Sequence, residues 1–343
     1  MRRFQPPRDE ALHRAYPTGG ETDRRSLLNT SPCAMAKIHF SSILSALSAC
    51  ATLCACAPIN MVNALTPSKT YHAVTDVAYG DSERQRLDVY VPTRAEVSGR
   101  GMPVVVFFYG GSWQNGDRAE YRFVGEALAS QGFLAILPDY RTYPEVTFPA
   151  FMDDAASAVR WAADHARDFG GDPGHLFLMG HSAGAQIVTL LATDERYLLG
   201  AALSTCAISG VVGLAGPYDF LPLQSAALRR VFPAPVRDAS QPIRFVTGRE
   251  PPMFLGVGDA DRIVEPGNTT RFGQRLREMR AKVEIRHYDL GHALMLGAIS
   301  APLRRFFPVL SDIAAFVNAN SRRTTRVACT QTDRVAAGQM SPR

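Results

Sequence analysis

The sequence is poor in the features that mark several common protein classes. Six cysteines stand among 343 residues, with no Cys-x-x-Cys pair and no Cys/His cluster. That excludes a disulfide framework and a zinc site built on such spacing. No apolar run reaches the ~18 residues of a membrane-spanning helix, which excludes a multi-span membrane protein. No basic stripe, zinc-finger spacing or internal repeat is visible, so a nucleic-acid partner is not expected. Charged residues make up 20% and apolar residues 46%. This ordinary globular mix also excludes a disordered chain or a collagen. The length suits one large domain or two small ones.

What charge there is sits at the ends. The formal net charge is +5. Residues 1–34 hold six Arg and four acids, residues 321–343 hold five Arg and one acid, and the stretch between nets −1. Both ends lack apolar periodicity and read as disordered. The body between them is near neutral.

Met35-Ala36-Lys37 opens a short positive region. Ile38 to Ala55 is then mostly apolar and small, without Asp, Glu, Lys or Arg. This is the layout of a secretory signal peptide over 35–55. Because it begins at Met35, residues 1–34 read as a prefix upstream of the true start. Leu47-Ser48-Ala49-Cys50 and Leu53-Cys54-Ala55-Cys56 both resemble a bacterial lipobox, in which Leu stands three before a Cys that becomes diacylated. The first is the better four-residue match. The second leaves the longer apolar stretch, and Ala57-Pro58 after it resembles the Cys-x-Pro openings of bacterial lipoproteins. The reading adopted is lipidation at Cys56, with 56–71 as a tether. A plain cleaved signal and a cytosolic chain are the alternatives. Neither Cys50 nor Cys56 is followed by Asp, so by resemblance the protein is expected on the periplasmic side, anchored to the outer membrane by acyl chains. Only Cys206 and Cys329 then remain in the mature chain.

The apolar pattern along the body predicts strands over Arg86–Tyr90 (with one wet face), Val104–Tyr109, Leu134–Leu137, Leu176–Met179, Ile208–Leu214, Met253–Val257 and Val283–Tyr288. It predicts helices over Tyr121–Ser130, Phe151–His165, Ala183–Ala192, Thr269–Met279 and Val309–Val317. Alternating strands and helices mean an α/β fold with a mostly parallel central sheet and helices on both faces. Residues 72–320 form this domain. Residues 218–250, weakly periodic and rich in Pro, Arg and Ser, are placed to form a small cap. In such sheets, sites form beyond the carboxyl ends of the strands.

The chemical motifs fall at those ends. Gly180-His181-Ser182-Ala183-Gly184 lies between a predicted strand and a predicted helix, the setting of a nucleophile elbow. The turn leaves no room for side chains at the two glycines and lifts the Ser182 hydroxyl above the sheet. His181, beside it, is expected to point away. A serine needs a base, and the base needs an orienting carboxylate, here in the chain order Ser, acid, His. Gly291-His292 follows the strand 283–288 and supplies the base. His287, within that strand, reads as a face-packing residue. Asp259 and Asp261 both follow the strand 253–257. Asp261 is preferred as the acid, Asp259 reads as a turn or cap residue, and Asp219 comes third. Gly110 and Gly111 follow the strand 104–109. Their backbone N–H groups, with that of Ala183 at a helix N-terminus, can surround an oxyanion. Trp113, Tyr140, Tyr143, Phe148 and Tyr218 read equally as pocket lining or as packing.

With these strings in place the sequence resembles an α/β-hydrolase. More narrowly, it resembles carboxylesterases of the hormone-sensitive-lipase type and a bacterial esterase/kynurenine-formamidase-like branch. The supporting strings are Phe108-Tyr109-Gly110-Gly111-Ser112-Trp113, Pro138-Asp139-Tyr140-Arg141, Gly170-Gly171-Asp172-Pro173, the elbow at 180–184 and Gly291-His292. The family's usual His-Gly-Gly-Gly is here Tyr109-Gly110-Gly111-Ser112, which keeps two backbone donors and loses the His side chain and one Gly. The resemblance implies a serine carboxylesterase acting on small acyl or carbohydrate esters through Ser182, His292 and Asp261 and an acyl-enzyme. It calls for no cofactor or metal, and its partner is a small-molecule ester. The competing readings are a formamidase, amidase or peptidase with the same three residues, and a non-catalytic lipoprotein that keeps the fold for binding.

Overall fold

A computed structural model describes residues 58–94 and 101–321. The signal peptide, the prefix, Cys50, Cys56 and the tail at 322–343 lie outside the described residues.

Eight strands form one sheet: β1 (Tyr71–Ala78), β2 (Arg86–Pro92), β3 (Met102–Phe108), β4 (Leu134–Pro138), β5 (Gly171–His181), β6 (Ile208–Leu214), β7 (Met253–Gly258) and β8 (Val283–Tyr288). Their spatial order is β1-β2-β4-β3-β5-β6-β7-β8. β1–β2 and β2–β4 pair antiparallel, and every other pair is parallel. The central strands are Val-, Leu- and Phe-rich, which suits a pleated surface packed on both sides. β4 and β7 are buried along their whole length, and β3 at all but one position. Burial of that kind requires cover on both faces, and the helices supply it.

The principal helices are α1 (Pro58–Ala64), α2 (Arg122–Ser130), α3 (Ala150–His165), α4 (Ala183–Thr193), α5 (Glu195–Gly200), α6 (Ala226–Val231), α7 (Gly267–Glu278), α8 (His292–Gly297) and α9 (Val309–Ser321). α3 buries Phe151, Ala155, Ala158 and Ala162, spacings that fall on one stripe. α4 differs in being buried at every position. It runs directly from the sheet's centre, and its mostly apolar or small sequence, with Gln186 paired to Trp113 and Ser240, permits that. β3, β5 and β6 lie side by side with Phe108 opposite Gly180 and Gly180 opposite Gly213. The ends of these strands converge on the elbow.

Strand β2 corrects one expectation. Its alternation predicts a wet face, yet Leu87 to Tyr90 are all buried, Asp88 included. The cause is a partner far along the chain: Arg118 Nε donates to Asp88 Oδ1 at 2.9 Å. The Asp76 backbone N–H donates to the same oxygen at 2.9 Å. A buried carboxylate persists when it is paired in this way. β1 is mostly exposed and of mixed polarity, with a bulge between Val74 and Val77. Such features blunt an edge strand against unwanted pairing, and they also mute its sequence signal.

Candidate active site

Ser182 occupies the single residue between β5 and α4, with φ 55° and ψ −122°. A non-glycine residue there stores about 1–3 kcal/mol of strain, so the surroundings must fix it. They do so on both sides. The Ser182 N–H donates to the Leu214 carbonyl at 2.9 Å, and the Ser182 carbonyl accepts from Ala185 at 3.0 Å and Gln186 at 3.2 Å. A Cβ at Gly184 would overlap the Phe108 carbonyl, and one at Gly180 would overlap the Gly184 carbonyl. Both glycines are therefore required by close backbone approach, as the motif predicts. The Ala183 N–H lies in the first turn of α4, where a helix offers its donors no internal partner.

His292 opens α8. Its Nε2 lies 2.9 Å from Ser182 Oγ, and its Nδ1 lies 2.7 Å from Asp261 Oδ2. Asp261 is nearly buried in the turn after β7. Its other oxygen accepts the N–H groups of Ile263 at 2.8 Å and Val264 at 2.9 Å. A carboxylate so engaged accepts at Oδ2, so Nδ1 of His292 carries the proton and Nε2 presents its lone pair to the serine hydroxyl. The structure thus brings together the three residues selected from the sequence. The two competing acids have other partners. Asp259 Oδ1 lies 2.7 Å from His287 Nδ1, with the side chains 52% and 58% exposed. His287 is thus a surface partner of Asp259, contrary to its reading as a face-packing residue. Asp219 pairs with Arg271 at 2.6 Å.

His181 does not point away. Its ring centroid is 4.8 Å from that of His292. Its Nε2 lies 3.0 Å from the His292 carbonyl oxygen. A carbonyl only accepts, so Nε2 carries the proton and the imidazole braces the backbone of the base. Burial, and secondarily the neighbouring His292, pulls the His181 pKa down to about 3. The unfolded chain, with an ordinary histidine near 6.5, therefore binds the extra proton first. Stability present above pH 6.5 is lost as the pH falls from there toward 3, by up to ~1.4 kcal/mol per pH unit. Denaturant unfolding between pH 7.5 and 5.5 should show this slope, and His181→Gln should flatten it by the same amount. Equal slopes in the two proteins would mean that His181 does not titrate as a buried neutral group.

The loop after β3 is an unusual run of backbone. Gly111, Ser112 and Trp113 have φ of 116°, 55° and 58° in succession. The Gly111 carbonyl accepts Gln114 and Asn115 N–H groups, each at 3.0 Å, and the Trp113 carbonyl accepts from Tyr143 at 2.9 Å. A Cβ at Gly110 would stand 2.9 Å from the Ser182 Cβ, so the loop passes directly beside the nucleophile. Tyr109, in place of the family's histidine, anchors the start of the loop. Its ring stacks on Tyr121 and Tyr140 with centroids 5.1 and 5.0 Å away. Its hydroxyl donates to Asp139 at 2.6 Å and accepts from Arg84 at 2.9 Å. Burial raises the Tyr109 phenol well above its usual range, so it stays a donor. Arg118 Nη1 pairs with Asp139 Oδ2 and extends the network to Asp88. Sequence reading missed Arg84 and Arg118 as anchors. Their signal lies only in their pairing with acids from other strands.

Of the five aromatic residues left open by the sequence, Trp113, Tyr140, Phe148 and Tyr218 are buried. The segment 218–250 lies against them: Phe220 stacks on Trp113 at 5.7 Å and Phe232 meets its edge at 4.7 Å. Among the described residues, no group of three or more His, Cys, Asp or Glu side chains is arranged to hold a metal.

The strand order, the elbow at the centre of the sheet and the late acid and histidine define an α/β-hydrolase fold. Solved structures share it. A truncated carbohydrate esterase from gut microbiota superposes with a TM-score of 0.64 at 21% identity, covering 75% of this chain and 99% of its own. Esterase B from Lactobacillus rhamnosis does so at 0.68 and 20% identity, covering 82% and 96%. The chain belongs to the BD-FAE family, whose profile matches residues 87–276. It is also similar to a probable isoprenylcysteine alpha-carbonyl methylesterase of Arabidopsis thaliana, 27% identical over 62% of this chain and 49% of the relative. Esterase LipC of Mycobacterium tuberculosis is 31% identical over 74% of this chain and 66% of its own length. The chain thus spans half to two thirds of these curated relatives.

Proposed function

We propose that the protein is a serine carboxylic-ester hydrolase. The observation that carries the reading is the continuous series Ser182 Oγ, His292 Nε2 and Nδ1, Asp261 Oδ2, with gaps of 2.9 and 2.7 Å. In the proposed reaction His292 takes the Ser182 proton as Oγ attacks the ester carbonyl carbon. The N–H groups of Gly110, Gly111 and Ala183 hold the oxyanion, and His292 returns the proton to the departing alcohol. Water, deprotonated by His292, then attacks the acyl carbon, and His292 returns that proton to Ser182 Oγ as the C–O bond breaks and the acid leaves. Asp261 keeps the imidazole in the required tautomer and stabilises its charged form. The similarity to proteins named as esterases supports the chemistry. Small acyl or carbohydrate esters are the proposed substrates, and 218–250 is the proposed cap.

The test is a fluorophosphonate label followed by a substrate panel. Ser182 should be labelled, and p-nitrophenyl acetate should be cleaved far faster than an N-formyl aromatic amine or a dipeptide amide. Faster amide cleavage would reassign the site to an amidase, and absence of both labelling and turnover would leave a binding protein. We propose in addition that the protein is exported and anchored through Cys56, a reading supported by residues 35–58 of the sequence alone. Palmitate incorporation in a bacterial host should disappear in Cys56→Ser; persistence there and loss in Cys50→Ser would move the anchor.

A further inference from the structure

The chemistry proposed above leaves a fully buried amide side chain on α4 unused. Gln186 lies one turn beyond Ser182 and has no exposed surface. Its Oε1 accepts the indole N–H of Trp113 at 3.0 Å, and its Nε2 donates to the Ser240 carbonyl at 2.8 Å. An indole nitrogen only donates and a carbonyl only accepts, so chemistry fixes which way the amide faces. One side chain therefore joins the nucleophile's helix, the loop after β3 and the segment 218–250.

That loop needs an external hold. Three successive residues with positive φ, one of them a tryptophan, persist only where the surroundings over-determine them. The bonds at the Gly111 carbonyl are internal to the loop, and the Tyr143 bond comes from the loop after β4. Among the described residues, the Gln186 bond is the side-chain hydrogen bond that ties Trp113 to α4. The distinction matters because the oxyanion donors come from two elements: Gly110 and Gly111 from the loop, Ala183 from α4. Both sets must lie within ~3 Å of one oxygen. A tether between the two elements sets that separation.

We infer that Gln186 is a positioning residue, fixing the loop's N–H donors relative to Ala183 through the Trp113 indole. The inference rests on the serine-hydrolase reading. Its signature is a loss of transition-state contact with ground-state binding retained, so kcat falls and KM holds.

Two variants test it. Gln186→Met keeps length and burial without either bond, and Trp113→Phe keeps an aromatic ring without the donor. Each should lower kcat for p-nitrophenyl acetate by about 10- to 100-fold with KM within ~3-fold. The double variant should be no slower than the slower single one, since both break the same bond. Losses that multiply, or a Gln186→Met enzyme with wild-type kcat, would overturn the inference. If Gln186→Met does not fold, the kcat and KM of Trp113→Phe decide. A second measurement is independent of turnover. In 15N-labelled protein the Trp113 indole N–H should exchange with solvent faster in Gln186→Met than in wild type, with the Trp161 indole as internal reference. Unchanged Trp113 exchange would remove the tether whatever the activity. A wild-type protein that neither labels nor turns over esters would instead overturn the functional reading, and the indole exchange would still report on the tether.

Discussion

Ser182→Ala should lower kcat for p-nitrophenyl acetate about a million-fold, the loss expected when a nucleophile that acts as one unit with its base is removed. The variant keeps the Cβ and deletes only Oγ, the atom 2.9 Å from His292 Nε2. The backbone at φ 55°, ψ −122° is held by the Leu214, Ala185 and Gln186 hydrogen bonds, none of which uses the hydroxyl. The change removes one hydrogen bond, that between Ser182 Oγ and His292, so unfolding free energy should change by about 0.5–1.5 kcal/mol, the net worth of a typical hydrogen bond. The oxyanion donors stay in place, so a small rate above that in water should survive. Kinetics, an equilibrium unfolding curve and a fluorophosphonate label on both proteins give the full reading. A variant that retains even a hundredth of the wild-type rate would end the serine mechanism.

The parts of the fold legible in the sequence are those where chemistry is local. β6 and β8 have the predicted bounds. α4 is legible because a segment so largely apolar or small belongs in the interior. The elbow was legible because backbone crowding, not a distant contact, dictates both glycines. What escaped was pairing across the sheet. Asp88 looked solvent-facing because its partner Arg118 comes from the segment before α2, thirty positions on. His181 reads as pointing away because the turn geometry says nothing of His292, which arrives from beyond β8 and whose backbone carbonyl accepts the His181 Nε2–H hydrogen bond. Gln186 looked like one more interior position of a buried helix. Its role depends on a tryptophan in another loop and a carbonyl in a third segment. Tyr109, a departure from the family string, is explained by Asp139 and Arg84, which the string does not contain.

The sequence alone left Asp259 and Asp261 in competition, and the structure turns that choice into an experiment. Each carboxylate follows β7 and each has a histidine partner at 2.7 Å. Asp261→Asn should cut kcat about ten-thousand-fold by imposing the wrong tautomer on the base. The reason lies in the other oxygen. Asp261 Oδ1 accepts two backbone N–H groups, from Ile263 and Val264. An asparagine must keep its carbonyl there, so its NH2 faces His292 Nδ1. Two donors cannot share that contact, so the imidazole moves its proton to Nε2, where it meets Ser182 with no lone pair to offer. The isosteric change leaves the turn intact, and unfolding should show little loss. Asp259→Asn is the matched control. Its hydrogen-bonded contact with His287 is more than half exposed on both sides, and such surface pairs are worth about 0–1 kcal/mol at most. It touches neither His292 nor Ser182, so kcat should stay within ~2-fold of wild type. The reverse pattern, with Asp259→Asn crippled and Asp261→Asn active, would transfer the orienting role to Asp259 and require His287 or a rearranged loop to serve as its partner. Equal, small losses in both would mean that His292 works without a fixed tautomer, and the hydrogen-bonded series on which the functional reading rests would lose its chemical meaning.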